Sequence, residues 1–170
     1  MPLFMPTVAF RRVTDITPQD LHSLGVQAVL LDVDNTLTTH DNPVPYDGVM
    51  DWLESLKQAG FALVIVSNNH PERVEPFAKL LDLPYVADGK KPLPTGYKRA
   101  VELLDMTLEK KKAAAVGDQI FTDIIGGNLL GVTTIMVTEI TPEYGWFFKV
   151  KRKLEQWMMT DRRVAKIKKI

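Results

Sequence analysis

The chain has 170 residues, 45% hydrophobic and 25% charged, with 21 basic and 21 acidic side chains, the composition of one globular domain with a single sizeable core. It has no apolar run long enough to span a membrane, and its opening Met1-Pro2-Leu3-Phe4-Met5-Pro6 lacks the basic and apolar stretches of a secretory signal. Without cysteine there can be no disulfide, thiol nucleophile or cysteine-ligated metal, which fits a cytoplasmic setting.

Val26 to Asp32 reads as a buried strand ending in an acid. Pro45 to Ala59 reads as a helix with Val49, Trp52, Leu53 and Leu56 on one face and Gly60 as its stop. Phe61 to Val66 is a second apolar strand, closed by Ser67-Asn68-Asn69. Pro71 suits the first turn of a helix to about Leu81, which Pro76 should shorten or kink. A short strand at 85–87, a helix over 95–104, a strand at 113–116, a helix over 119–130 and a strand at 132–137 follow. Apolar strands alternating with helices imply an α/β domain with a doubly wound, mostly parallel sheet. The expected domain covers residues 1–142, and 143–170 forms a basic amphipathic helical tail.

In such sheets ligands bind at the carboxyl ends of the strands. Those ends carry Asp32, Ser67 and Gly117-Asp118. Asp32 and Asp34, two residues apart, can face one site. Two carboxylates that close repel unless a cation compensates. With Asp118 as a third oxygen donor and no His or Cys nearby, the set suits magnesium rather than zinc. Ser67, Lys90 or Lys91, and the Asp34-Asn35-Thr36 backbone amides could serve a bound phosphate. Together these groups fit phosphoryl transfer. The plainer reading of Asn68-Asn69 is loop shaping or helix capping, and that of Gly126-Gly127 is close helix packing. His22, His40 and His70 form no ligand cluster in the sequence.

Asp32-Val33-Asp34-Asn35-Thr36-Leu37, Ser67, Lys91-Pro92 and Gly117-Asp118-Gln119-Ile120-Phe121-Thr122-Asp123 resemble, in order, the four motifs of the haloacid dehalogenase-like (HAD) superfamily. The resemblance implies an HAD-like Rossmannoid fold and a phosphatase. Asp32 would be the nucleophile and Asp34 the acid and base. Asp32, Asp34 (through its backbone carbonyl) and Asp118 would hold Mg2+. Thr36, Ser67, Asn68 and Lys91 would bind phosphate, with Asp123 behind the metal ligands. Lys91 is preferred over Lys90 because Lys-Pro-x-Pro resembles the capless subfamily IIIA, and the spacings leave no room for a cap domain. Within IIIA the motifs look like the YqeG family, which is similar to mitochondrial phosphatidylglycerophosphate phosphatases. That implies a phospholipid substrate; the alternatives are a soluble sugar or nucleotide phosphate, or a non-catalytic HAD-fold assembly protein.

From Lys149 to Ile170 there are nine Lys or Arg and two acids, so the tail carries +7 and the remaining 148 residues carry −7. Phe147, Val150, Leu154, Trp157 and Met158 recur at helical spacing among these charges. The preferred reading packs this stripe on the protein's own domain. A second lays it on an anionic membrane, as a peripheral contact at the inner face, and nucleic-acid binding is the weakest of the three.

Overall fold

The apolar runs pair side by side in a computed structural model that describes residues 3–104 and 112–137. The elements are β1 (Val8–Phe10), α1 (Pro18–Ser23), β2 (Ala28–Leu31), α2 (Val49–Gln58), β3 (Ala62–Val66), α3 (Pro71–Leu81), β4 (Tyr85–Val86), α4 (Thr95–Leu103), β5 (Ala113–Gly117), α5 (Ile125–Leu130) and β6 (Thr133–Val137). All six strands are parallel, in the order β1-β6-β5-β2-β3-β4. From β2 the chain moves outward through β3 and β4, then crosses back to the other side of β2 for β5 and β6. That reversal leaves a crevice at the carboxyl ends of β2 and β5, where such sheets bind ligands.

Both faces of the sheet are buried, and alternate residues serve alternate faces. Val29, Leu31, Leu63 and Ile65 pack in one core with Leu21 of α1, Trp52 and Leu56 of α2, and Phe77 and Leu81 of α3. Ala28, Leu30, Val64 and Val66 pack in the other with Tyr97 and Ala100 of α4 and Leu130 of α5. The sheet is therefore doubly wound, and its α/β class is the one the sequence implies. Only a loop and α2 separate β2 from β3, and only α3 and β4 lie between Ser67 and Lys91, so no cap domain stands over the crevice among the described residues.

Several boundaries differ from the sequence reading. α2 begins at Val49 rather than Pro45, because Gly48 takes a left-handed φ of 83° that ends any earlier helical turn. α3 runs unbroken through Pro76, which lies on the exposed face, where the carbonyl it leaves without a partner can reach water. The helix expected over 119–130 is divided into a π-turn over Ile120–Ile124 and then α5. β1 and α1 were not foreseen. The tail at 143–170, and with it the expected domain division, lies outside the described residues.

Gly126 and Gly127 let α5 approach its neighbours closely. A Cβ on Gly126 would stand 2.6 Å from Tyr97 Cε2, and one on Gly127 would stand 2.6 Å from Thr134 Cγ2 and 3.0 Å from Ala115 Cβ. Gly127→Ala should destabilise the fold by about 1–3 kcal/mol, because strand atoms cannot retreat and overpacking outweighs the gain of about 1 kcal/mol in helix propensity. Thermal denaturation measures this; an unchanged or raised midpoint would refute it.

Candidate active site

Leu31, the last residue of β2, is in register with Val116 of β5 and Ile65 of β3, and the Asp32 amide donates to Val116 O at 3.0 Å. Asp32 therefore leaves the sheet at its centre, on the crevice. The chain then turns tightly. The amides of Thr36, Leu37 and Thr38 all donate to Val33 O, at 3.2, 2.8 and 3.2 Å, and that of Asn35 (φ 58°) donates to Thr38 O at 2.6 Å. The Asn35 and Thr36 amides, expected to cradle a phosphate, are thus engaged inside the loop. Thr36 is fully buried, and its hydroxyl lies 3.4 Å from Asp32 Oδ2.

Ser67 follows β3 and is buried; its Oγ accepts the Asn69 amide at 3.1 Å. The Asn68 side chain grips the Lys91 backbone, Oδ1 accepting from Lys91 N at 2.6 Å and Nδ2 donating to Lys91 O at 3.1 Å. Both polar ends of a residue expected among the phosphate ligands are therefore occupied in fixing Lys91. Of the two candidate lysines, Lys90 is exposed, whereas Lys91 is buried and its Nζ pairs with Asp32 Oδ1 and, at 2.6 Å, with Asp123 Oδ1.

β5 delivers Asp118, wholly buried, and the π-turn returns Asp123 to the same point. Gly117 has a steric reason to be glycine: the Asp123 carboxylate occupies the space a Cβ would need. Asp123 Oδ2 accepts the Gln119 amide at 3.2 Å and lies 3.3 Å from the Thr122 hydroxyl. Carboxylate oxygens of Asp32, Asp118 and Asp123 all lie within 4.8 Å of one another. The Asp34 carboxylate accepts from Asn69 Nδ2 at 2.5 Å and Arg73 Nη2 at 3.1 Å. Asp123 thus contributes an oxygen to the same cluster as Asp32 and Asp118, and the Asp34 carboxylate is not one of the three.

Electrostatics explain what the cluster needs. Burial pushes the Asp32 carboxyl up to about 7, against the pull of Lys91, while the charges of Asp123 and Asp34 push it the same way as burial. Burial opposes the Lys91 charge, but Asp123 and then Asp32 outweigh it and raise the ammonium well above its ordinary value. Tyr97 lies under the site with its hydroxyl 3.5 Å from Asp123 Oδ1, and burial, with the Asp123 charge adding to it, raises the phenol well above its usual range. Lys91 pairs with Asp32 and Asp123, and Arg73 with Asp34. The three clustered carboxylate oxygens of Asp32, Asp118 and Asp123 are the donor type that suits a hard divalent cation.

Sequence reasoning did not find Asn69, Arg73 or Tyr97 as parts of this site. The first two could have been suspected from their places just beyond Ser67, at the foot of the helix that follows β3; Tyr97 carried no signal apart from core spacing. His70 is exposed and pairs with Asp88 at 2.7 Å, away from the acidic cluster.

Known proteins resemble this chain in sequence and in fold. A model of the haloacid dehalogenase-like hydrolases matches residues 15–131. The probable phosphatase YqeG of Bacillus subtilis (strain 168) is 32% identical over 157 residues, which is 92% of this chain and 90% of that protein. An uncharacterized protein from Listeria monocytogenes serotype 4b shares the fold with a TM-score of 0.57 at 23% identity, over 71% of this chain and 85% of its own. A hydrolase from Streptococcus pneumoniae TIGR4 does so with a TM-score of 0.55 at 15% identity, over 79% and 98%. With the family's match spanning most of the chain and a relative aligned along nearly all of it, the chain belongs to the haloacid dehalogenase-like hydrolases.

Proposed function

We propose that the chain is a magnesium-dependent phosphomonoesterase in which Asp32 carries the phosphoryl group. The observation behind this reading is the convergence of Asp32, Asp118, Asp123 and Lys91 at the crevice between β2 and β5. Asp32, Asp118, Asp123 and the Asp34 carbonyl are the groups that would hold Mg2+. When bound, the ion would offset negative charge on the carboxylates and on the transferring phosphoryl group.

The residues divide the rest of the chemistry. A carboxylate oxygen of Asp32 attacks phosphorus as the ester P–O bond breaks, and Asp34 gives its proton to the departing oxygen. Asp34, now a carboxylate, takes a proton from a water molecule whose oxygen attacks phosphorus. The Asp32–phosphorus bond breaks, and inorganic phosphate leaves. Lys91 counters charge on Asp32 and the phosphoryl oxygens. The Thr36 and Ser67 hydroxyls stand at the same strand ends, while Asn68 serves by holding Lys91 in place.

With no cap domain among the described residues, the crevice encloses little of a substrate, which favours a phosphate carried on a large or surface-bound molecule. A phospholipid monoester such as phosphatidylglycerophosphate is the substrate class proposed, met at the inner face of a membrane with the basic tail as the contact. Among the described residues no helix is long and apolar enough to cross a membrane.

Phosphate release should require Mg2+, fall to background on chelation, and proceed faster on vesicles containing phosphatidylglycerophosphate than on a panel of sugar and nucleotide phosphates. Turnover confined to the soluble panel would overturn the lipid assignment alone. Turnover on none, with magnesium present, would favour a binding or assembly role.

A further inference from the structure

Both carboxylate oxygens of Asp34 are held by residues that have no part in the steps above. Oδ1 accepts from Arg73 Nη2 at 3.1 Å and from the Asp41 amide at 3.2 Å, and Oδ2 accepts from Asn69 Nδ2 at 2.5 Å. Arg73 stands in the first turn of α3, and the same Nη2 donates to Asn42 O at 2.9 Å. Its guanidinium lies over the Phe77 ring, 5.5 Å from the centroid. One cation therefore fastens Asp34, the loop after β2 and the start of α3 together. Exposed ion pairs carry little weight, but here the Arg73 and Asp34 side chains are only 21% and 14% exposed. The aromatic ring beneath a planar guanidinium also fixes the direction of its donors.

Building on the acid–base role of Asp34, we propose that Arg73 is a positioning residue that aims Asp34 at the leaving oxygen, and so adapts the site to alkyl phosphomonoesters. As the Asp32–phosphorus bond forms, the electron pair of the breaking P–O bond moves to the leaving oxygen. An alkoxide must be protonated as it departs, and the proton comes from Asp34. p-Nitrophenolate is a stable anion and leaves without one. Proton transfer requires close approach, so a carboxyl misplaced by roughly an ångström loses on the order of a hundredfold, but only where the proton is needed.

The test compares kcat/KM, which covers the steps through P–O cleavage, on glycerol 3-phosphate and on p-nitrophenyl phosphate with magnesium present. Arg73→Met, which keeps an apolar stem over Phe77, should lose about 10- to 100-fold on the alkyl ester and less than about threefold on the aryl ester. Arg73→Lys should recover part of the alkyl activity. Asp34→Asn should show the same substrate bias, and adding Arg73→Met to it should cost little more on the alkyl ester, because the two residues act as one unit. Equal losses on both substrates, or additive losses in the double variant, would overturn the proposal. Asp32→Asn in parallel separates the two levels: if it matches wild type on p-nitrophenyl phosphate, the nucleophile assignment fails whatever Arg73 does.

Discussion

Asp32→Asn is expected to lower magnesium-dependent phosphate release by about four orders of magnitude or more, the scale on which loss of a nucleophile is felt. The amide is nearly isosteric and can still accept from the Thr36 hydroxyl, 3.4 Å from Asp32 Oδ2 in the wild type. Lys91 keeps Asp123 as an ion-pair partner. The fold should therefore persist while the attacking oxygen is lost. Asp118→Asn provides the contrast: it removes one of the three clustered oxygens but not the nucleophile. Raising magnesium should partly restore the Asp118 variant and leave the Asp32 variant inactive. Steady-state phosphate release across a magnesium series measures both. Residual turnover of Asp32→Asn within tenfold of wild type would refute the assignment.

The contrast between these two carboxylates reflects what the sequence could and could not convey. Strands β2, β3, β5 and β6 were legible because both their faces are buried, which writes them as apolar runs. The polar residues that end those runs were legible as a site because a parallel sheet brings its carboxyl ends together. β1 escaped notice because it is only three residues of edge strand, held in place by β6, and its sequence has no room for a pattern. α1 did carry a signal in Thr17-Pro18-Gln19-Asp20: Asp20 donates its amide to Thr17 Oγ1 at 3.2 Å and accepts the Thr17 amide at 2.8 Å, the reciprocal cap such a spacing forms. The π-turn at Ile120–Ile124 was not legible, since its apolar spacing is also that of a helix and the extra residue serves to carry Asp123 back to the cluster. Asn68 and Arg73 show a further limit. Nothing in their residue types tells that one grips a backbone 23 positions away and the other a carboxylate 39 positions back.

Lys91→Met should lower the stability of the metal-free protein by about 3–5 kcal/mol, the cost of leaving a buried charge without its partner. That corresponds to roughly 10 °C in the denaturation midpoint. The effect should depend on pH in a stated direction. Burial raises the Asp32 carboxyl to about 7 from an ordinary 3.8, with Lys91 pulling it down and Asp123 and Asp34 pushing it further up. A carboxyl whose folded pKa is raised favours the fold when protonated, so this contribution is complete below about pH 4 and is lost as the pH rises through about 7. Without Lys91 the same carboxyl should titrate higher still, and the decline should extend to higher pH. Magnesium acts on the same charges, because it and Lys91 neutralise one set of carboxylates. The variant should therefore gain more thermal stability from saturating magnesium than wild type does, even though its catalytic rate falls. Denaturation midpoints for both proteins, with and without magnesium at pH 5 and pH 8, test this. An equal magnesium shift in the two proteins would mean that the ion and Lys91 do not share the Asp32–Asp123 charge.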